Sequence, residues 1–117
     1  MPVQNRALKP DKTSSQNLAA GALSYTTNYN RRFKLESVMI RASVAITESV
    51  TVTLDSAHGA AYDVVLDAAY LSGEQDYVFR PQGELNLQVG DEIKVQCTNA
   101  NTTGIVYLVV KASEITQ

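Results

Sequence analysis

One histidine, one cysteine and twelve carboxylates carry most of the reactive chemistry available to this 117-residue chain. A catalytic histidine needs a nucleophile or an acid at a defined distance. His58 stands before Gly59 in a turn-forming stretch, with no Gly-x-Ser-x-Gly elbow anywhere in the chain, and reads as an exposed loop residue. Cys97 shares its parity with Ile93 and Val95, the pattern of a small core residue. No basic neighbour or helix start stands beside it to create a thiolate. Single copies of His and Cys also exclude an internal disulfide, a Cys-rich zinc site and a His-paired metal site within one subunit. Among the carboxylates, Asp55, Asp63 and Asp67 flank one expected hairpin, and Asp91-Glu92 opens a strand. A calcium loop of the Asp-x-Asp-x-Asp-Gly kind is absent. Aspartates in turns usually accept hydrogen bonds from nearby backbone. The expectation is a protein that is not an enzyme and has no cofactor or metal.

Charge is distributed unevenly. Residues 1–34 hold Arg6, Lys9, Lys12, Arg31, Arg32 and Lys34 against Asp11 alone, whereas residues 35–117 hold four basic and eleven acidic groups. A net charge of −2 gives no overall attraction to nucleic acid or anionic membrane, and neither is an expected partner. A basic segment on an acidic body instead suggests docking to something acidic, a neighbouring copy being one candidate. Arginine forks bind carboxylates bidentately and stack on aromatic rings. The expected partner contacts are therefore Arg6, Lys9, Lys12, Arg31 and Arg32, together with Tyr25 and Tyr29. The first twenty residues lack the apolar run of a signal peptide, and no run is long enough to span a membrane. The reading is a soluble protein made in a cytoplasm.

The elements that must position these groups change character near Phe33. Before it, Val3, Leu8, Leu18 and Leu23 are too widely spaced for a helical stripe, so residues 1–32 read as an extended arm. After it the hydrophobic period is two. Val50, Val52 and Leu54 alternate with hydroxyls, Ile93, Val95 and Cys97 with polar residues, and Leu85, Leu87 and Val89 likewise. The run from Phe33 to Ile46 changes phase, which predicts a bulge near Glu36-Ser37. Residues Asp67 to Leu71 could form one helical turn. Turn signals fall at His58-Gly59, Ser72-Gly73, Pro81-Gln82-Gly83, Gly90-Asp91 and Asn99 to Gly104. Regular short strands of this kind predict an all-β body over residues 33–117, an antiparallel β-sandwich or jelly roll of seven or eight strands. The last run, Gly104 to Val110, is apolar on both parities. Either it is a central strand, or Ile105, Tyr107 and Val109 on its outer face meet another chain.

The stretch from Leu35 to Lys111 resembles small structural proteins of tailed bacteriophages, the capsid decoration (cement) proteins. The resemblance is carried by Leu35-Glu36-Ser37-Val38, Thr51 to Ser56, Gly59 to Asp63, Pro81, Glu84-Leu85, Gly90 to Ile93 and Gly104. It implies a jelly-roll body that binds the major capsid protein on the outside of a phage shell and stabilises it. It also implies a homotrimer, with the last strand as subunit interface and the basic arm as a clamp. The location so implied is the capsid surface of a virion assembled in a bacterial cytoplasm. A second reading is a glycan-binding or connector module of a head fibre or tail, in which Tyr62, Tyr70, Tyr77 and Phe79 would form an exposed aromatic platform.

Overall fold

A computed structural model describes residues 11–29 and 31–115. Seven strands run through them: β1 (Lys12–Asn17), β2 (Leu23–Asn28), β3 (Phe33–Asp55), β4 (Val64–Phe79), β5 (Asn86–Leu87), β6 (Glu92–Cys97) and β7 (Ile105–Glu114). A single 3-10 turn, Ala60–Tyr62, precedes β4. Every pairing is antiparallel. No helix among these residues is long and apolar enough to cross a membrane.

The length of β3 organises the molecule. Its 23 residues would reach about 75 Å if straight, far beyond one small domain. It therefore bends. Ser43, Val44 and Ala45 are exposed between buried Ala42 and Ile46, and the pairing with β4 skips from Arg41 to Ile46. Before the bend, β3 pairs with β7 over Phe33 to Ala42 and with the end of β4 over Val38 to Arg41. Beyond it, β3 pairs with β6 over Val50 to Asp55 and with the start of β4 over Ile46 to Leu54. Adding β1 beside β7 and β2 beside β6 yields two four-stranded sheets that share the long strands β3 and β4. Eight strand segments in this order make a jelly roll.

The two inner faces meet in one core. The first sheet contributes Val38, Ile40, Val106, Leu108 and Val110, and the second contributes Leu23, Val50, Val52, Ile93 and Val95. Each buried aliphatic side chain of this size is worth about 1.5–3 kcal/mol relative to exposure. Cys97 is among them, as its parity predicts. The expected bulge is present too, where the pairing with β7 jumps from Leu35 to Ser37.

Other expectations need correction. Residues Lys12–Asn17 and Leu23–Asn28, assigned to an arm, are strands of the two sheets. β1 has no aliphatic residue, so periodicity could not reveal it. Its backbone pairs with β7, whose Val106, Leu108 and Val110 supply the buried side chains. Asp67 to Leu71 is strand, not helical turn. Ser72-Gly73 is not a chain reversal either. Gly73, at φ 66°, is the extra residue where pairing passes from Ile46–Glu74 to Thr47–Ser72, a bulge that bends β4 alongside β3. The run Leu85 to Val89 shortens to the two-residue β5.

At Gly104 backbone conformation and space both disfavour a side chain. Its φ is +89°, and a Cβ there would lie 3.0 Å from Val44 Cγ2 and 3.3 Å from Ile46 Cγ2. Without a side chain, Gly104 lets the entry to β7 lie close against the β3 bend, where Ile105 N–H donates to Ser43 Oγ at 2.9 Å. Gly104→Ala is expected to destabilise the fold by about 1–3 kcal/mol through strained backbone and crowding. Thermal unfolding followed by circular dichroism checks this, an unchanged midpoint contradicting it.

Candidate interaction site

Arg6 and Lys9 lie outside the described residues. Of the remaining members of the set, Lys12, Tyr25 and Tyr29 pack on their own chain, whereas Arg31 and Arg32 are exposed. Tyr29 is 6% exposed, with its ring edge-on to Phe33 and the centroids 3.6 Å apart. Burial pushes its phenol up to about 12. The Lys12 ammonium stands 5.4 Å from the centre of the Tyr29 ring, a cation–π geometry within one subunit. Tyr25, inward-facing on β2, packs against the same core. Tyr29 is thus enclosed in the core and does not present its ring to a partner. Arg31 Nη1 donates to Glu114 Oε2 at 2.8 Å and joins the start of β3 to the end of β7. Its guanidinium is largely solvated, which keeps the pair weak. Arg32 borders an open polar cleft with Lys34, Glu84, Asn86, Ser113 and Glu114.

The carboxylates hold loops. Asp91 accepts from Ala57 N–H at 2.8 Å and from Gln88 N–H at 2.9 Å, tying two turns together. Asp63 accepts from Ser56 N–H at 2.8 Å. Asp67 accepts from the Tyr77 hydroxyl at 2.5 Å, which links the two halves of β4. Burial first, then the Asp67 bond and charge, keep that phenol protonated far above its ordinary range.

Glu48 is the polar residue that sequence reasoning missed. It is 1% exposed. One oxygen accepts from Thr98 Oγ1 at 2.7 Å and Ala100 N–H at 2.8 Å, the other from Asn101 N–H at 2.8 Å. The signal was present: Ile46, Glu48, Val50 and Val52 share one parity, so an acid stood on the inward face of a strand. Burial opposes ionisation of Glu48, but hydrogen bonds from Asn101, Thr98 and Ala100 outweigh it and hold the carboxyl below its ordinary range. The carboxylate anchors the loop between β6 and β7.

His58 lies in the loop before β4, edge-on to Tyr62 with centroids 5.9 Å apart. The Cys97 thiol is pushed up to about 11, by burial and then by the Glu48 charge. A buried, protonated thiol is a poor nucleophile. Among the described residues no three His, Cys, Asp or Glu side chains gather as metal ligands.

The exposed apolar residues of the first sheet form the most coherent surface. β7 lies between β1 and β3 and buries Val106, Leu108 and Val110, while Ile105, Tyr107 and Val109 occupy the opposite face. Tyr107 is 48% exposed. The strand is interior to its sheet, the first of the two sequence alternatives, and its outer face carries apolar side chains. An open groove along Thr13, Ser15, Tyr107 and Val109 borders that face.

The strand order and pairings define an all-β jelly roll. No family model and no curated protein matches the chain. Among solved structures, the crystal structure of PirA is similar over 92% of this chain and 96% of that one, with a TM-score of 0.52 and 12% identity. The Drosophila NLP-core structure, described with pentamer formation and histone binding, covers 92% of this chain and 98% of its own, with a TM-score of 0.42 and 8% identity. At such identities the PirA likeness speaks for the fold alone.

Proposed function

We propose that this protein is a viral structural protein, a decoration protein that binds the outside of a phage capsid and stabilises the shell. In this reading it self-associates as a homotrimer, through the outer face of β7, and the basic residues Arg6 and Lys9 contact the major capsid protein. One observation carries the proposal. The buried acids Glu48 and Asp91 hold loops in place, whereas apolar side chains gather on an outer sheet face. That combination suits a rigid assembly module. The bacteriophage resemblance of Leu35 to Lys111 supplies the setting.

The test is co-sedimentation with undecorated shells built from tailed-phage major capsid protein. Saturable binding and a higher shell melting temperature are expected. Removing residues 1–10, which leaves β1 intact, is expected to weaken binding. Absence of binding by the full chain overturns the proposal. A second reading, a glycan-binding module, is favoured by the exposure of Tyr62 and Tyr70, at 64% and 66%. Retention on a glycan array together with no shell binding would select it.

A further inference from the structure

A cleft of about 620 Å³ opens where the two halves of β4 come together. Leu66 and Asp67 line it from the first half, Val78 and Phe79 from the second, and residues of the segment Arg80 to Leu85 complete it. Its volume falls in the range of about 300–1,000 Å³ usual for ligand sites. Leu66, Phe79 and Leu85 are half-buried against the core and give the cleft an apolar wall. Asp67 is fixed in place. Tyr77, itself 6% exposed, donates its hydroxyl to one Asp67 oxygen at 2.5 Å. Among the described residues no group donates to the other oxygen, and Arg80 forms no ion pair. Glu84 also borders the polar cleft of Arg32 and Lys34, so the two clefts adjoin.

Charge along this groove balances: Arg32, Lys34 and Arg80 stand against Asp67, Glu84 and Glu114. It therefore favours neither a polyanion nor a polycation. Its polar groups are mostly planar and set donors beside acceptors: guanidinium groups, carboxylates, and the amides of Gln82 and Asn86. A sugar ring calls for that combination, since its hydroxyls donate and accept while its C–H face is apolar. We infer that the groove binds a saccharide chain, with Asp67 accepting from its hydroxyls, Arg80 and Gln82 donating to them, and the apolar wall under a C–H face. The Tyr77 hydroxyl holds Asp67 ready before the ligand arrives, which lowers the cost of ordering the site. The cleft is open, as suits part of a longer chain, and many copies on one shell would reinforce weak single-site binding. β3 stands between β4 and β7, whose outer face is the proposed subunit contact. The inference goes beyond the decoration reading and does not depend on it.

The experiment is retention of the full chain on an array of bacterial cell-surface oligosaccharides, followed by calorimetric titration with a retained oligosaccharide. The parent protein is expected to be retained. Arg80→Ala is expected to weaken binding about tenfold and Gln82→Ala about threefold, through lost hydrogen bonds. Both residues are exposed, and circular dichroism confirms that the variants are folded. Asp67→Asn keeps an acceptor for the Tyr77 hydroxyl but turns a donor toward the ligand, and is expected to weaken binding about tenfold. Tyr62→Ala and Tyr70→Ala, outside the cleft, are expected to bind as the parent does. A parent that retains no oligosaccharide overturns the inference, as does full binding by Arg80→Ala and Asp67→Asn. Loss in the two tyrosine variants alone places the sugar elsewhere and overturns it too. If no oligosaccharide is retained and Arg80→Ala loses shell binding, the groove belongs to the capsid protein. The saccharide is then wrong and the decoration role stands. Retention that responds to the cleft variants, with no shell binding, supports the inference and removes the decoration role.

Discussion

Glu48→Ala is expected to lower the unfolding free energy by about 2–5 kcal/mol. The substitution removes the acceptor for two backbone N–H groups, those of Ala100 and Asn101, and for the Thr98 hydroxyl. The two N–H bonds are part-buried, and a donor left without its partner there costs up to about 1–3 kcal/mol, so the two account for the range. The loop that loses these bonds joins the two sheets, β6 to β7. Urea unfolding measures the loss, and an unchanged midpoint contradicts it. Acid provides an independent check. The folded carboxyl titrates below its ordinary value of 4.5, so its contribution is complete above the unfolded value. The contribution declines as pH falls through the depressed folded value and is gone below both. The stability gap between parent and variant is therefore expected to narrow on acidification below about pH 4.5 and to be constant near neutrality. A gap independent of pH in that window would remove the charge from the explanation.

Phe33→Ala is expected to cost about 3–5 kcal/mol, the usual loss for deleting a buried aromatic ring. Phe33 is 1% exposed and stands at a crossing point. Its strand position pairs with Leu87 of β5 on one side and Glu114 of β7 on the other, and its ring supports Tyr29. Collapse into the space is limited because β3 is held on both sides there. With a typical domain stability of about 5–15 kcal/mol, the variant would lie near the edge of folding. Phe33→Leu, which keeps most of the volume, is expected to lose under about 1.5 kcal/mol. Chemical denaturation of the pair separates loss of volume from loss of aromatic contact. Equal losses in the two variants would mean that the site does not depend on filled volume.

The sequence revealed the body better than the margins. Alternation in Val50 to Leu54 and Ile93 to Cys97 marked the inward faces, because an aliphatic side chain on one parity reports burial directly. The phase change at Glu36-Ser37 located a bulge for the same reason. β1 escaped because a strand can be held by its backbone alone, and KTSSQN has no aliphatic side chain to show it. Tyr25 and Tyr29 suggested partner contacts because they stand in the basic segment near Arg31-Arg32. In the structure they are inward positions of β2 and the turn that follows it. Glu48 was legible in parity but not in role, since its partners lie some fifty residues further along the chain. The cleft between the halves of β4 was not legible at all. Leu66 and Phe79 belong to segments that meet only after the long hairpin has folded.

The sharing of β3 and β4 between the two sheets gives the molecule its mechanical character. In a sandwich of two separate sheets, the layers are joined by loops and can slide or peel. Here two covalent strands cross from one layer to the other, and the core is enclosed along one whole side by an unbroken hairpin. A force on the outer face of the first sheet is carried through the peptide backbone of β3 and β4 into the second, across the bend at Ser43 to Ala45 and the Gly73 bulge.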